Sequence, residues 1–475
     1  MATKKDTEKT AGQLRSEELI FQRKSIWETS DKKTLKKIQE FSEGYIDFLN
    51  NCKTERLAVE EAIKIAKEAG FRPISTYKKL KEGDRVYYSN RDKNLFLAII
   101  GKEPIVEGIN AVGAHIDSPR LDLKPNPLYE ADGMALLKTH YYGGIKKYQW
   151  TTIPLSIHGV VVRKDGTKLN VSIGEQEGEP VFCVTDLLPH LAKDQASKPL
   201  REAITGEELN ILVGGIPFDD EKVKEKVKLN VLDILNKKYG MTERDFLSAE
   251  LEVVPAFKAK SVGFDSAFVG GYGQDDRVCA YTSLKAICEI GLCKKTAVCV
   301  LADKEEVGSM GNTGMESRAF EFFLAELMNL RGEYDELALK RALSNSKMLS
   351  ADVDAGYDPT YASAMEKNNS CYLGEGVCVA KYSGHGGKSG GNDASAEFVG
   401  EVRKIFDEND IAWQMGELGK VDQGGGGTIA YYLADQGLDV IDCGVAVLSM
   451  HAPFEISSKY DVYMTYLAYK VFYEE

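Results

Sequence analysis

The stretch "TAVCVLADKEEVGSMGNTG", residues 296–314, decides how the chain folds and where its chemistry collects. Its first residues form a short apolar run of the kind that is buried as a strand. Two adjacent carboxylates, Glu305 and Glu306, follow the run at once. Acids that close repel each other, and in open α/β sheets ligand sites gather just past the ends of strands. The stretch therefore predicts a sheet whose strand ends hold something that wants both acids.

C-terminal to it, helical and strand patterns alternate. Helix "MESRAFEFFLAELMNL" is followed by strands "KMLSADV" and "GVCVAKYS", helices "ASAEFVGEVRKIFDEND" and "GTIAYYLADQG", strand "LDVIDCGVAV" and a last helix after Ser457-Ser458. Helix "DDRVCAYTSLKAICEIG" precedes it. This alternation predicts an α/β fold, a three-layer sandwich with helices covering a largely parallel sheet. N-terminal to it, Leu35, Ile38, Phe41, Tyr45 and Phe48 recur at helical spacing behind Ser30 and Asp31, and a second helix is expected from Thr54 to Ala69, stopped by Gly70. A hairpin over "RVYYSNRDKNLFLAII" leads into the strand "INAVGAHIDSPR", whose end carries His115 and Asp117.

Between these halves the pattern changes. "GVVVRKDGTKLNVSIG" reads as a hairpin about Asp165-Gly166, "AELEVVPAF" as another strand, and the charged "DDEKVKEKVKLNVLDILNKKYG" as a helix between them. Residues 119–263 are thus expected to form an inserted, mostly β domain, with 1–118 plus 264–475 as the second, larger unit.

At 475 residues the chain has room for two domains. Its 73 acidic and 60 basic side chains give a charge of −13, which argues against a nucleic-acid partner or an anionic membrane. The start "MATKKDTEKT" is polar, is expected to be disordered over about its first ten residues, and shows neither signal nor transit peptide; no run reaches membrane-spanning length. The nine cysteines form no C-x-x-C pair, and several lie inside apolar patterns, as free thiols do in a reducing compartment. A cytoplasmic protein is expected.

The polar residues just past the predicted strand ends are His115, Asp117, Glu305, Glu306, Asp352 and His451, and Asp275 with Asp276 opens a helix. Taken singly, each has a bland reading: a packed histidine, or an N-cap pair. Taken together they form a nitrogen and oxygen set without thiolate, suited to zinc, manganese or cobalt. Two ions fit this set better than one, because a carboxylate can bridge cations about 3.5–4 Å apart.

"GAHIDSP", "GYGQDDRVCAY", "LADKEEVGSMGNTG", "LSADVDAGYDP" and "LSMHAPFEIS" occur in an order and spacing that resembles the aspartyl aminopeptidase family of dinuclear-zinc metallopeptidases, and its bacterial branch in particular. The resemblance covers most of the chain. It implies His115 and Glu306 on opposite metals, Asp275 bridging, Asp352 and His451 completing the two shells, and Glu305 as general base. Asp117 is then expected to stand behind the His115 imidazole and set its tautomer. Two Zn2+ per subunit are implied, with Mn2+ or Co2+ as substitutes, and the substrates are peptides that lose their N-terminal residue. In such enzymes the insertion pairs subunits, a histidine matching His190 of "DLLPHLA" reaches the neighbour's active site, and dimers build a tetrahedral dodecamer. The family name implies preference for N-terminal Asp or Glu, with Lys381 placed to face an acidic side chain.

The glycine-rich "YSGHGGKSGGNDAS", which holds His385 and Lys388, and "DQGGGGT" depart from the eukaryotic pattern. They leave open a neutral or broad-specificity aminopeptidase, or a deacylase, on the same site. A reading of another class is a nucleotide-binding module on "YSGHGGKS", although a P-loop needs glycine where Tyr382 stands.

Overall fold

The computed structural model describes residues 9–20, Ser25, Trp27 and 30–475. The expected disorder of the first ten residues falls almost wholly outside them. Four strands carry the site: β1 Ile109–His115, β2 Thr296–Ala302, β3 Lys347–Ser350 and β4 Asp439–Gly444. They lie in the order β2-β1-β3-β4, all parallel, at the centre of a nine-stranded sheet. Parallel strands are buried on both faces, which is why all of β1 and β2 is buried and reads as one apolar run rather than an alternation.

The two faces meet different helices. Val112, Ala114, Cys299, Leu301, Leu349 and Ile441 point to one core, which includes residues of helices Lys32–Asn51, Gln274–Glu289 and Lys459–Glu474. Ala111, Val298, Val300, Met348 and Val440 point to the other, packed by Ala319–Arg331 and Glu336–Ser344. The N-terminal helices begin where their caps predict. Asp31 accepts from the Thr34 amide at 2.7 Å, and Thr54 from that of Leu57 at 3.3 Å.

The sheet is mixed toward its edges rather than largely parallel throughout. Strand Asn94–Ile99 runs antiparallel to β2, and Val377–Ala380 antiparallel to β4. A tight hairpin can only return antiparallel, so the hairpin Arg85–Ile99 imposes this at one edge. The run "LDVIDCGVAV" also splits: β4 stays in the large sheet, while Ala446–Leu448 joins a separate five-stranded sheet and carries the chain on to His451.

A seven-stranded, wholly antiparallel sheet is built only from strands between Arg120 and Pro255, with a core of its own that includes Trp150, Leu155 and Val253. Its longest hairpin, Arg120–Ala131 with Met134–Tyr142, has no clear counterpart in the sequence reading. Pro125, Pro127 and a register shift between Leu123 and Leu128 interrupt the alternation that would have marked it. Helix Lys226–Tyr239 starts later than the charge pattern suggests, behind Glu225 in a left-handed conformation.

The seven-stranded sheet is riveted to the rest of the protein through buried charge. Arg120, 6% exposed, lies 2.8 Å from Asp122, 3.1 Å from Glu252 and 3.6 Å from the fully buried Glu55, which Lys93 also reaches at 3.1 Å. Burial pushes Glu55 up, but Arg120 and Lys93 outweigh it and hold the carboxyl below its usual range. Removing the guanidinium strands buried acids. Arg120→Met is expected to lower the unfolding free energy by about 3–5 kcal/mol in a urea titration. Loss of Lys168, whose pair with Asp92 is exposed, should leave the midpoint unchanged.

Candidate metal centre

Four strand ends and one helix start converge on a single cluster. His115 ends β1, Asp352 lies two residues past β3, and Glu305 and Glu306 form the 3₁₀ turn Glu305–Val307 just past β2. Asp275 opens the helix Gln274–Glu289 and is joined to Asp276 by a cis peptide bond. His451 follows the strand Ala446–Leu448 with φ 65°.

Asp275 sits between the two imidazoles. Its Oδ1 is 3.1 Å from His115 Nε2 and its Oδ2 is 3.2 Å from His451 Nε2. Two groups of potential ligand atoms, each within 4.8 Å of one another, share this residue: His115, Asp275 and Asp352, and Asp275, Glu306 and His451. Glu305 belongs to neither group, although its Oε2 stands 3.8 Å from His115 Nε2.

The tautomers follow from the partners. His115 Nδ1 faces the Asp117 carbonyl at 3.0 Å and its carboxylate at 3.4 Å; His451 Nδ1 faces the Gly144 carbonyl at 2.8 Å. These oxygens can only accept, so each Nδ1 carries the proton and each Nε2 is turned toward Asp275. Asp117 also accepts from the backbone amides of Glu305 and Glu306, both at 3.2 Å, and from the Tyr142 hydroxyl at 2.8 Å. Against its burial, the His115 and Tyr142 contacts and Arg120 hold Asp117 below the usual carboxylate range.

Electrostatics show what the cluster lacks. Burial pushes Glu305 up to about 7, with Asp117 and Asp275 adding to the rise, and pushes Glu306 and Asp352 well above their ordinary values. His451 rises to about 10, because Asp275 and Glu306 outweigh the opposing effect of burial. Glu306 Oε1 is buried and makes no hydrogen bond. Buried acids that cannot ionise together, two oriented imidazole nitrogens and an unpartnered carboxylate oxygen fit divalent cations of the zinc class.

The sequence reading missed Glu455, four residues past His451. It is buried, accepts from the amides of Gln274 at 2.6 Å, Asp275 at 3.3 Å and His451 at 2.8 Å, and so ties the two ligand segments together. Its one signal was its place within "LSMHAPFEIS".

A cavity of about 560 Å³ opens onto Asp275, Glu305, Glu306, Asp352 and His451. Lys388 lines it, but Lys381 is not among its lining residues; its ammonium is 2.5 Å from Asp393, which also pairs with Lys388 at 2.9 Å. His190 lies on an exposed loop with Leu187, Leu188 and Leu191, away from this cavity. The segment expected of a P-loop does not behave as one. No helix follows Lys388 until Ala396, and Gly384–His385 instead pairs with Gly425–Gly426.

Comparison with known proteins decides the class. Residues 48–473 match the family described as aminopeptidase I zinc metalloprotease (M18). The chain belongs to the M18 family. It is a zinc metallo-aminopeptidase, a hydrolase. A probable M18 family aminopeptidase 1 of Clostridium acetobutylicum is 55% identical over 459 residues, covering 96% of this chain and 99% of the relative. The crystal structure of an M18 aminopeptidase from Thermotoga maritima superposes with a TM-score of 0.92 at 46% identity, over 96% of this chain and 99% of that one. Aminopeptidase I from C. acetobutylicum gives 0.90 at 52% identity, over 96% and 100%. The yeast mApe1 dodecamer, at 22% identity and a TM-score of 0.73, shares the fold over 92% of this chain and 96% of its own.

An M18 centre of this charge must shed protons to take up metal. Against their burial, Asp275 and the acids beside it raise the proton affinity of both imidazoles, and a cation must compete with those protons. Zinc added to chelator-treated protein at pH 7 is therefore expected to release about one proton or more per ion bound. Calorimetry in buffers of different ionisation enthalpy reads this directly, and proton uptake would contradict it.

Proposed function

We propose that this M18 enzyme removes the N-terminal residue of peptides at a two-metal site, with Glu305 as the proton shuttle. The observation that carries the reading is the pair of ligand groups sharing Asp275 while Glu305 stands outside both. His115 and Asp352 would hold one zinc, Glu306 and His451 the other, with Asp275 common to both. Zinc bound there would polarise the scissile carbonyl and make water acidic.

The chain's own groups do the rest. Glu305, half-buried and pushed up to about 7, can accept a proton from the attacking water near neutral pH and deliver it to the departing amine. Asp117 orients it through the Glu305 amide, besides fixing His115. The unshared acidity around Asp275 supplies a counter-charge for the free α-ammonium that distinguishes an exopeptidase substrate.

Two features favour neutral or mixed N-terminal residues over the acidic preference that the family name implies. Asp393 pairs with both Lys381 and Lys388, and Glu417 and Asp442 line the cavity, whose one other lining lysine is Lys420. We further infer a three-layer catalytic sandwich of residues 1–118 and 264–475, with 119–263 as the dimerisation domain. The exposed Leu187, Leu188 and Leu191 beside His190 support that pairing. The shared fold with the yeast dodecamer supports a twelve-subunit assembly in which His190 serves a neighbouring site. The nine free cysteines support a cytoplasmic location, and among the described residues no helix is long and apolar enough to cross a membrane.

Glu305→Gln is expected to lower kcat by about 10²–10⁴-fold while two zinc ions remain bound. Activity on a panel of fluorogenic aminoacyl substrates, with metal content measured alongside, checks it. Retained turnover would remove Glu305 from the role, and loss of metal would make it a ligand.

A further inference from the structure

We propose that Tyr142-Gly143-Gly144, where the insertion's longest hairpin returns to the catalytic unit, is a clasp that positions the ligands of both metal positions. The inference rests on the two-metal reading above and assigns positioning residues to it.

Three consecutive residues touch three different parts of the centre. The Tyr142 hydroxyl donates to Asp117 Oδ2 at 2.8 Å. Gly143 has φ 74°, and a β-carbon there would lie 3.2 Å from Glu306 Oε2 and 3.4 Å from its Cβ. The Gly144 carbonyl accepts from His451 Nδ1 at 2.8 Å, and a β-carbon on Gly144 would lie 3.1 Å from that nitrogen. The loop is thus shaped closely against the centre, and a side chain at either glycine would press on Glu306 or His451.

Tyr142 cannot swing away cheaply. It pairs across the hairpin with Arg120, whose guanidinium carbon stands 3.8 Å from the ring centroid. Arg120 is itself fixed by Asp122, Glu252 and Glu55. The insertion's buried charge network therefore aims one hydroxyl at one carboxylate.

The target is well chosen. A carboxylate offers about four acceptor positions. His115 Nδ1 and the amides of Glu305 and Glu306 approach three of those of Asp117, and Tyr142 approaches the fourth. Without the hydroxyl the Asp117 carboxylate keeps the two amides but loses its fourth donor, so its hold on the His115 imidazole, which the Asp117 carbonyl shares at 3.0 Å, weakens. Gly144 does the equivalent for His451 through its carbonyl. The two grips should consequently act on different metal positions: Tyr142 chiefly on the one that includes His115, Gly144 on the one that includes His451.

The test is zinc titration of the metal-free, full-length protein against a chromogenic chelator, for the wild type, Tyr142→Phe, Gly144→Ala and the double variant. Thermal midpoints of the metal-free proteins are measured in parallel. Y142F keeps the ring over Arg120 and removes only the hydroxyl. Each single variant is expected to weaken one of two zinc affinities by about 10–100-fold, and the double variant to weaken both, with metal-free midpoints close to the wild type. Unchanged affinities, equal loss at both positions from one substitution, or a double variant that still keeps one wild-type affinity would overturn the clasp. Binding of fewer than two zinc ions by the wild type would overturn the two-metal reading and the clasp with it. Two ions in the wild type with unaltered variants would overturn the clasp alone.

Discussion

The structure is organised around one carboxylate that two imidazoles approach from opposite sides. Asp275 meets His115 Nε2 at 3.1 Å and His451 Nε2 at 3.2 Å, and the acids around it are too buried and too close to ionise together. Such a cluster costs stability unless cations compensate it. Much of the surrounding architecture serves to hold it in place: a fully buried parallel strand ending at His115, a helix opening at Asp275, and Glu455 bonding the amides of both Asp275 and His451.

The seven-stranded sheet answers a difficulty that follows from this arrangement. Strand ends give ligands their approximate position, but an imidazole still has to present a chosen nitrogen. Both Nδ1 atoms are set by carbonyl oxygens, that of Asp117 for His115 and that of Gly144 for His451, and the Tyr142 hydroxyl holds the Asp117 carboxylate beside the first. A sheet with its own core carries the loop 142–144, and the Arg120 charge network ties that sheet to Glu55 and Lys93. The same body exposes Leu187, Leu188 and Leu191, so it also carries apolar surface outward.

The parallel centre and its ligand-bearing ends were legible because buried parallel strands leave continuous apolar runs, and because polar residues directly after such runs stand out. His115, Glu305, Glu306, Asp352 and His451 are all of this kind; the structure brings four of them together around Asp275 and sets Glu305 beside His115. What stayed hidden acts through backbone or at long range. The Gly144 carbonyl has no side-chain signature, Tyr142 looks like any strand tyrosine, and the Arg120–Ala131 strand is masked by two prolines. Glu455 was in view but read as part of a motif rather than as the acceptor of three amides. Lys381 shows the converse limit: its charge is visible in sequence, but the Asp393 that neutralises it is twelve residues away.

The adjacent pair Glu305-Glu306 shows how a short stretch can serve two purposes. Lys304, in a left-handed conformation at φ 68°, turns the chain out of the strand and into a 3₁₀ turn. At three residues per turn, neighbouring side chains leave the axis about 120° apart. Glu306 is therefore directed to His451 at 3.6 Å, while Glu305 faces His115 from outside the ligand groups and lines the cavity. Both backbone amides are gripped by the same Asp117 carboxylate, so the two carboxylates diverge from a common anchor. Repulsion between neighbours is thereby relieved by geometry that separates them. Glu305 keeps a raised proton affinity because it is buried, with Asp117 and Asp275 adding to the rise, while it stands outside both groups of candidate ligand atoms.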